Sequence, residues 1–437
     1  MTTRFSTTPF SKALSLVLLA FLALVPVTTS ASQDQDANPL FVAHGKLSAQ
    51  EVQAALDDEF FAYQVFELDL PAIDQQVRTH GRLSLHLGNR VLDLELEEND
   101  LRSPDFRWVE LSQKGVRDLD PGPVTTFKGT VDGDSESVVR LSVTPELFSG
   151  FIFANTEMLF IDPVVDFIRD SSLPGGELPA NGDVVVYREI DQRHLIGGTC
   201  ETGGSHGFGD LLGSLPGSRH DALGSLGFDL SSEAQPGISF RTLEVALECD
   251  GQYRARFGQS GAINRMQGIM NDVDGFIYRS ELNIGINVVF AGCWPNAGTD
   301  PYTSLNASTT LSQMATFWST GGGGGIATNR DVVHQFSGKN FSGSTIGIAY
   351  VGVICRNRTL SVGISQDVSG SASRRRLTAH EIGHNLSANH DTGVNCSGNG
   401  PVMCPSIQSG GSSAADDFSN ASFNSIENFV TSFGGCI

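Results

Sequence analysis

The chain has 437 residues, too many for one typical hydrophobic core and enough for two domains. A formal net charge of −21 argues against a nucleic-acid or anionic-membrane partner, because phosphate binding needs clustered Lys and Arg. With 40% hydrophobic residues, the chain is too apolar to be disordered throughout.

At the N-terminus, Arg4 and Lys12 precede an apolar run over 13–27, and the small residues Ser30, Ala31 and Ser32 follow. This is the order of a secretory signal peptide, assigned to 1–31. The run is shorter than the roughly 20 apolar residues a bilayer crossing takes, so no membrane span and an extracellular location are expected. Residues 38–166 are strand-rich: RLSLHLGNRVLDLE at 82–95 alternates apolar and polar residues, and VVRLSV and FSGFIFA follow between turns. The spacing predicts a small antiparallel β domain. Residues 203–236 are rich in Gly and Ser and read as an exposed linker where proteases cut. Beyond Pro236, strands are predicted at 239–247, 283–290 and 346–353, and helices at 261–279, 308–320, 377–386 and 422–433. That alternation describes an α/β domain of about 200 residues. The five glycines at 321–325 lack the Lys-Ser/Thr of a phosphate loop.

Seven cysteines follow the leader, an odd number. Export favours disulfides and leaves one thiol over. Six lie from Cys249 onward, whereas Cys200 stands alone upstream. Spacing alone leaves the pairing of the six open.

The chemistry concentrates at His380-Glu381-Ile-Gly-His384, followed by His390. Histidines four apart project from one helix face and bring two nitrogens to one tetrahedral zinc. His390, six residues on, has enough chain to turn back as a third ligand. Three protein ligands and a water make an open, catalytic zinc site. Glu381, the next residue round the helix, is placed to act as general base without ligating.

This extended pattern resembles the metzincin metallopeptidases, and His390-Asp391 is similar to their adamalysin/reprolysin (ADAM-like) branch. Met403, in Gly-Pro-Val-Met-Cys-Pro, resembles the family's methionine turn beneath the zinc. Residues 331–363 and 417–437 resemble the rest of that domain, and 127–163 resemble a reprolysin propeptide. The resemblance implies an α/β metzincin-type catalytic domain, a mixed sheet with an active-site helix, preceded by a β-rich propeptide domain. The expected boundaries are 1–31 signal peptide, 32–202 propeptide, 203–236 processing linker and 237–437 metallopeptidase. It implies a latent precursor of a secreted zinc endopeptidase acting on protein or peptide substrates, with 346–351 as the sheet edge that pairs with an extended substrate. It also implies Cys200 as a candidate switch ligand on the zinc, and disulfides Cys355–Cys436, Cys396–Cys404 and Cys249–Cys293. Some family members bind structural calcium, for which Glu244 is suggestively placed. One departure is Ser387, where the family usually has a glycine that ends the helix with φ > 0. Arg374, Arg375 and Arg376 are expected in a solvated turn. The competing reading is an inactive adhesion or binding module on the same scaffold; the presence of Glu381 speaks for the enzyme.

Overall fold

A computed structural model of the chain describes residues 41–42, 50–88, 90–168, 182–193, 198–203, 240–320, 329–392, 396, 400–406 and 417–437. The expected leader, the linker beyond Gly203 and the glycine run 321–325 lie outside the described residues.

In chain order the first half contributes β1 (Phe41–Val42), α1 (Gln50–Glu59), β2 (Gln64–Leu68), α2 (Leu70–His80), β3 (Arg82–Leu87), β4 (Arg90–Glu98), β5 (Arg102–Ser112), β6 (Gly115–Leu119), β7 (Thr126–Val131), β8 (Asp134–Thr144), β9 (Leu147–Ala154), β10 (Glu157–Pro163), β11 (Asp183–Arg188) and β12 (Thr199–Thr202). The second half contributes β13 (Arg241–Cys249), α3 (Gly251–Asp272), a π-helical turn (Val273–Tyr278), α4 (Arg279–Leu282), β14 (Ile284–Cys293), α5 (Ala307–Ser319), β15 (Val332–Ser337), β16 (Thr345–Ala349), β17 (Val362–Gln366), α6 (Ser371–Asn385) and α7 (Asn420–Phe433). Short polar residues open several helices as expected of N-caps: Asp250 accepts from Tyr253 N, Asn306 from Thr309 N and Ser419 from Ser422 N.

Two sheets result. An antiparallel nine-stranded sheet has the order β1-β2-β11-β10-β9-β8-β7-β4-β3. A mixed eight-stranded sheet has the order β12-β16-β17-β15-β13-β14-β5-β6. The second is mainly parallel, as strands joined through helices must be; β16 runs antiparallel to β17. The predicted β domain is thus more than a separate antiparallel unit. Its β5–β6 hairpin adds to the mixed sheet alongside β14, and its β12 adds at the opposite edge alongside β16. Alternation in sequence identifies a strand but does not say which sheet it joins.

The halves also share a core. Leu56, Phe60, Trp108, Phe151 and Phe160 from the first half belong to one buried cluster with Leu243, Met266, Ile277, Ile382 and Met403 from the second. A further cluster lies within the first half, including Leu85, Phe148 and Ile161, and a third packs α5 against the mixed sheet.

Helix α6 corrects one expectation. It starts at Ser371, so Arg374, Arg375 and Arg376 lie inside a helix and are buried, not in a solvated turn. Gly370, which precedes it, provides no side-chain cap. Asp162 of β10 does so from across the molecule: its carboxylate accepts from Ser371 N at 2.9 and 3.1 Å, and from Ser371 Oγ at 2.5 Å. An anion there also complements the helix dipole. Asp166 receives two hydrogen bonds from Arg265, at 2.6 and 2.8 Å, and one from Arg374 at 3.0 Å. Arg375 lies over the rings of Phe151 and Phe160 at 4.9 and 4.8 Å, a cation–π contact. Arg376 donates to the carbonyls of Gly400 and Pro401. Charges are buried here because each finds a partner, and most of those partners belong to the first half.

Removing one member of such a buried set strands the others. Asp166→Asn should destabilise the chain by about 3 kcal/mol in urea unfolding followed by tryptophan fluorescence. Glu95→Gln, which breaks the exposed Arg82–Glu95 pair, should cost less than about 1 kcal/mol in the same measurement.

Candidate active site

Helix α6 carries His380 and His384 one turn apart, with ring centroids 4.6 Å from each other. The helix ends at Asn385 with Leu386 as its C-cap, and the chain reverses at Ser387, whose φ is 83°. Ser387 therefore occupies the left-handed turn that glycine fills by preference, as the resemblance implied. Ser387 N donates to His384 O at 2.8 Å and Ala388 N to Gly383 O at 2.9 Å, which satisfies carbonyls at the helix end. The turn returns His390 to the helix, its ring 5.2 Å from His380 and 4.7 Å from His384. One ring nitrogen from each of the three histidines lies within 4.8 Å of the others.

The second ring nitrogens set the tautomers. His380 Nδ1 lies 2.7 Å from Val402 O, and His384 Nδ1 lies 2.7 Å from Ala388 O. A carbonyl can only accept, so both Nδ1 atoms carry protons and both Nε2 atoms offer lone pairs. His384 Nε2 and His390 Nε2 face each other at 3.2 Å. His380 Nε2 is buried without a partner among the described residues. Burial pushes the His380 imidazole well below its usual range, with His384 adding to the effect, and lowers His384 to about 3. Burial also lowers His390, against the opposing pull of Asp391. Neutral imidazoles with converging ring nitrogens fit a divalent cation of the zinc type.

The support for these rings comes from several elements. Asp391 Oδ1 accepts from Ser422 Oγ at 2.8 Å and from Ser419 Oγ, and Asp391 N donates to Met403 O at 2.9 Å, so α7 anchors the residue beside His390. Met403 is fully buried against the underside of α6. A Cβ on Gly383 would meet its sulfur at 2.7 Å, so the helix approaches the methionine where a side chain is missing. Tyr278 OH donates to Ala379 O at 2.8 Å, and Asn385 Nδ2 to Tyr350 O at 2.8 Å, which fix the helix from two further sides.

Glu381 is fully buried, and the polar group its carboxylate meets is the Cys200 thiol, which opposes the effect of burial. Burial holds its pKa well above the usual carboxylate range. Cys200 is the one cysteine outside the disulfides and is buried. Its sulfur, a His380 nitrogen and a Glu381 oxygen lie within 4.8 Å of one another. Burial raises this thiol well above its usual value, and the neighbouring Glu381 adds to the rise. Cys200 arrives on β12, which runs parallel to β16 with Cys200 opposite Gly347. On the other side of β12, Cys200 N donates to Pro405 O at 2.9 Å. The edge strand expected to receive an extended substrate is thus paired with the chain's own residues 199–202.

The three disulfides implied by the resemblance are present: Cys249–Cys293, Cys355–Cys436 and Cys396–Cys404. Glu244 faces a cavity with Asp331, whose carboxylate accepts from Glu244 N at 2.7 Å, but Arg330, Arg356 and Arg358 line it too. No set of three acidic, histidine or cysteine ligand atoms converges there among the described residues.

Comparison with known proteins agrees with the site. Residues 239–430 match the family model Reprolysin_5, described as Metallo-peptidase family M12. Over 175 residues the chain is 36% identical to zinc metalloproteinase-disintegrin-like brevilysin H2a of Gloydius brevicauda, which covers 39% of this chain and 38% of that protein. Over 170 residues it is 34% identical to a zinc metalloproteinase-disintegrin-like protein of Cerberus rynchops, covering 38% of this chain and 26% of that one. The chain therefore spans less than two-fifths of these curated relatives. A solved structure titled "Structure of a chaperone-substrate complex" aligns over 44% of this chain at 14% identity with a TM-score of 0.31, too low to carry an argument. The matched segment is similar to the metallopeptidase domain of these reprolysin-type proteins.

A serine held at φ 83° costs about 1 kcal/mol relative to glycine. Ser387→Gly should therefore raise the thermal unfolding midpoint and leave metal retention unchanged. A loss of metal on this change would show that the serine side chain, and not only the backbone turn, holds His390 in place.

Proposed function

We propose that the chain is the precursor of a secreted zinc-dependent endopeptidase, kept latent by its own first half. The observation that carries this reading is the convergence of three neutral imidazoles beside the fully buried carboxyl group of Glu381. His380, His384 and His390 would hold the zinc. When bound, the ion supplies a Lewis acid and lowers the pKa of a coordinated water towards about 7. Glu381 accepts a proton from the attacking water and returns it to the departing amine nitrogen. Its burial suits both tasks, because a desolvated carboxylate is a stronger base than an exposed one. Met403 packs beneath the histidines without ligating.

Strand β16 would present its edge to an extended peptide, which supports protein or peptide substrates. In the precursor that edge is paired with β12, and the Cys200 sulfur lies close to His380 and Glu381. Cys200 is then the switch ligand: its thiolate would take the position of the catalytic water. Cleavage in the 203–236 linker would break the covalent link between this segment and the 237–437 domain. Secretion follows from the leader at 1–31. None of the helices among the described residues is long and apolar enough to cross a membrane. The acidic net charge offers nothing to nucleic acid.

After linker cleavage the chain should hold about one zinc, measured by atomic emission. Glu381→Ala should keep that metal and lose between about a hundredfold and ten-thousandfold of peptidase activity. Full activity in this variant would remove Glu381 from the mechanism.

Latency gives a separate outcome. Cys200→Ser should yield an uncut precursor with measurable activity on a peptide library, because a hydroxyl is a poorer zinc ligand than a thiolate. A Cys200→Ser precursor as silent as the wild type would assign latency to strand β12 covering the edge.

A further inference from the structure

Gly347 sits in β16 opposite Cys200, on the strand that flanks the site. Its backbone lies outside the left-handed region, so its φ does not call for glycine. The space around it does. A Cβ built there would lie 2.2 Å from Glu381 Oε1, 2.8 Å from Glu381 Cδ and 2.7 Å from Leu377 Cδ1. Carbon and oxygen cannot approach so closely, so a methyl group at this position requires something to move.

What moves follows from which atoms are met. At Gly251 a Cβ would strike the Asn296 carbonyl carbon at 2.0 Å, and at Gly338 the Tyr253 nitrogen at 2.3 Å; both are backbone clashes. At Gly347 the three nearest atoms all belong to side chains. The fold can therefore accept a methyl there by turning the Leu377 side chain and swinging the Glu381 carboxylate aside. The Glu381 backbone cannot follow, because α6 is held by Asp162 at its start and by the Asn385 bonds near its end. The carboxylate lies against β16 because residue 347 has no side chain.

We propose that Gly347 is a positioning residue for Glu381: its missing side chain leaves free the space against β16 that the Glu381 carboxylate occupies. This rests on the reading of Glu381 as general base. A misplacement of about 1 Å in such a group costs on the order of a hundredfold in rate.

The test is Gly347→Ala in the full chain, examined by crystallography and zinc content, and by kinetics after linker cleavage, beside Glu381→Ala. The expected result is an intact fold, unchanged zinc content, a displaced Glu381 carboxylate and a kcat lower by about a hundredfold, with KM within about twofold. Gly347→Ala/Glu381→Ala should be no slower than Glu381→Ala alone, because residues that act as a unit are not additive. Glu381→Asp, with a carboxylate one methylene shorter, should recover part of the rate in the Gly347→Ala background. Should Gly347→Ala not fold, Gly347→Ala/Leu377→Ala removes the second contact and keeps the first. A carboxylate found in its original place beside the new methyl group, a loss confined to KM, or a normal kcat while Glu381→Ala is inactive would each overturn the proposal. Activity retained in Glu381→Ala would instead overturn the general-base reading, and the position of the carboxylate in the crystal would still decide whether Gly347 sets it.

Discussion

Every residue of α6 is buried, although the helix carries three arginines, two histidines and a glutamate. A helix of that composition belongs on a surface unless its polar groups find partners inside. Here they are drawn from the whole molecule: Asp162 and Asp166 from the first half, Asp367 beside β17, the aromatic rings of β9 and β10, and carbonyls at Gly400, Pro401 and Val402. This requirement orders the surrounding elements. Within the same helix, His380 Nε2 and the Glu381 carboxylate lie together, close to the Cys200 sulfur.

The grouping of the three histidines was legible because its spacing is local. Histidines four apart share a helix face whatever the tertiary structure, and His390 follows within one turn of chain. The Ser387 turn came from family resemblance, in which a glycine usually ends the helix at this position, and the φ of 83° agrees with it. The disulfide pairs came from family resemblance; spacing could not have selected them. What could not be read depends on distance along the chain. Arg374 and Asp166 are separated by 208 positions, and nothing near the arginines announces a carboxylate partner. Three consecutive arginines then look like a solvated segment, because an unpaired charge has no place in a core. Gly347 was equally silent: a glycine within an apolar strand shows its purpose only when the neighbouring helix is in place.

The division of the chain into halves is likewise a matter of sequence more than of packing. Composition changes sharply after Pro236, yet the mixed sheet takes strands from both sides of that boundary, at both of its edges. Parallel addition of β5 to β14 and of β12 to β16 satisfies backbone groups that would otherwise form open edges. The first half therefore completes the architecture around the histidines as well as covering them.

The shared core has a consequence for what a single backbone cut can achieve. Leu56, Phe60 and Trp108 pack into the same interior as Leu243 and Met266, so breaking the linker severs a tether and leaves the packing in place. The association then changes its order, from a contact within one molecule to an equilibrium between two. Its position depends on concentration, which the uncut chain never feels. Dilution draws the pieces apart and accumulation brings them back together. Scission and release are separate events, and the second is governed by mass action.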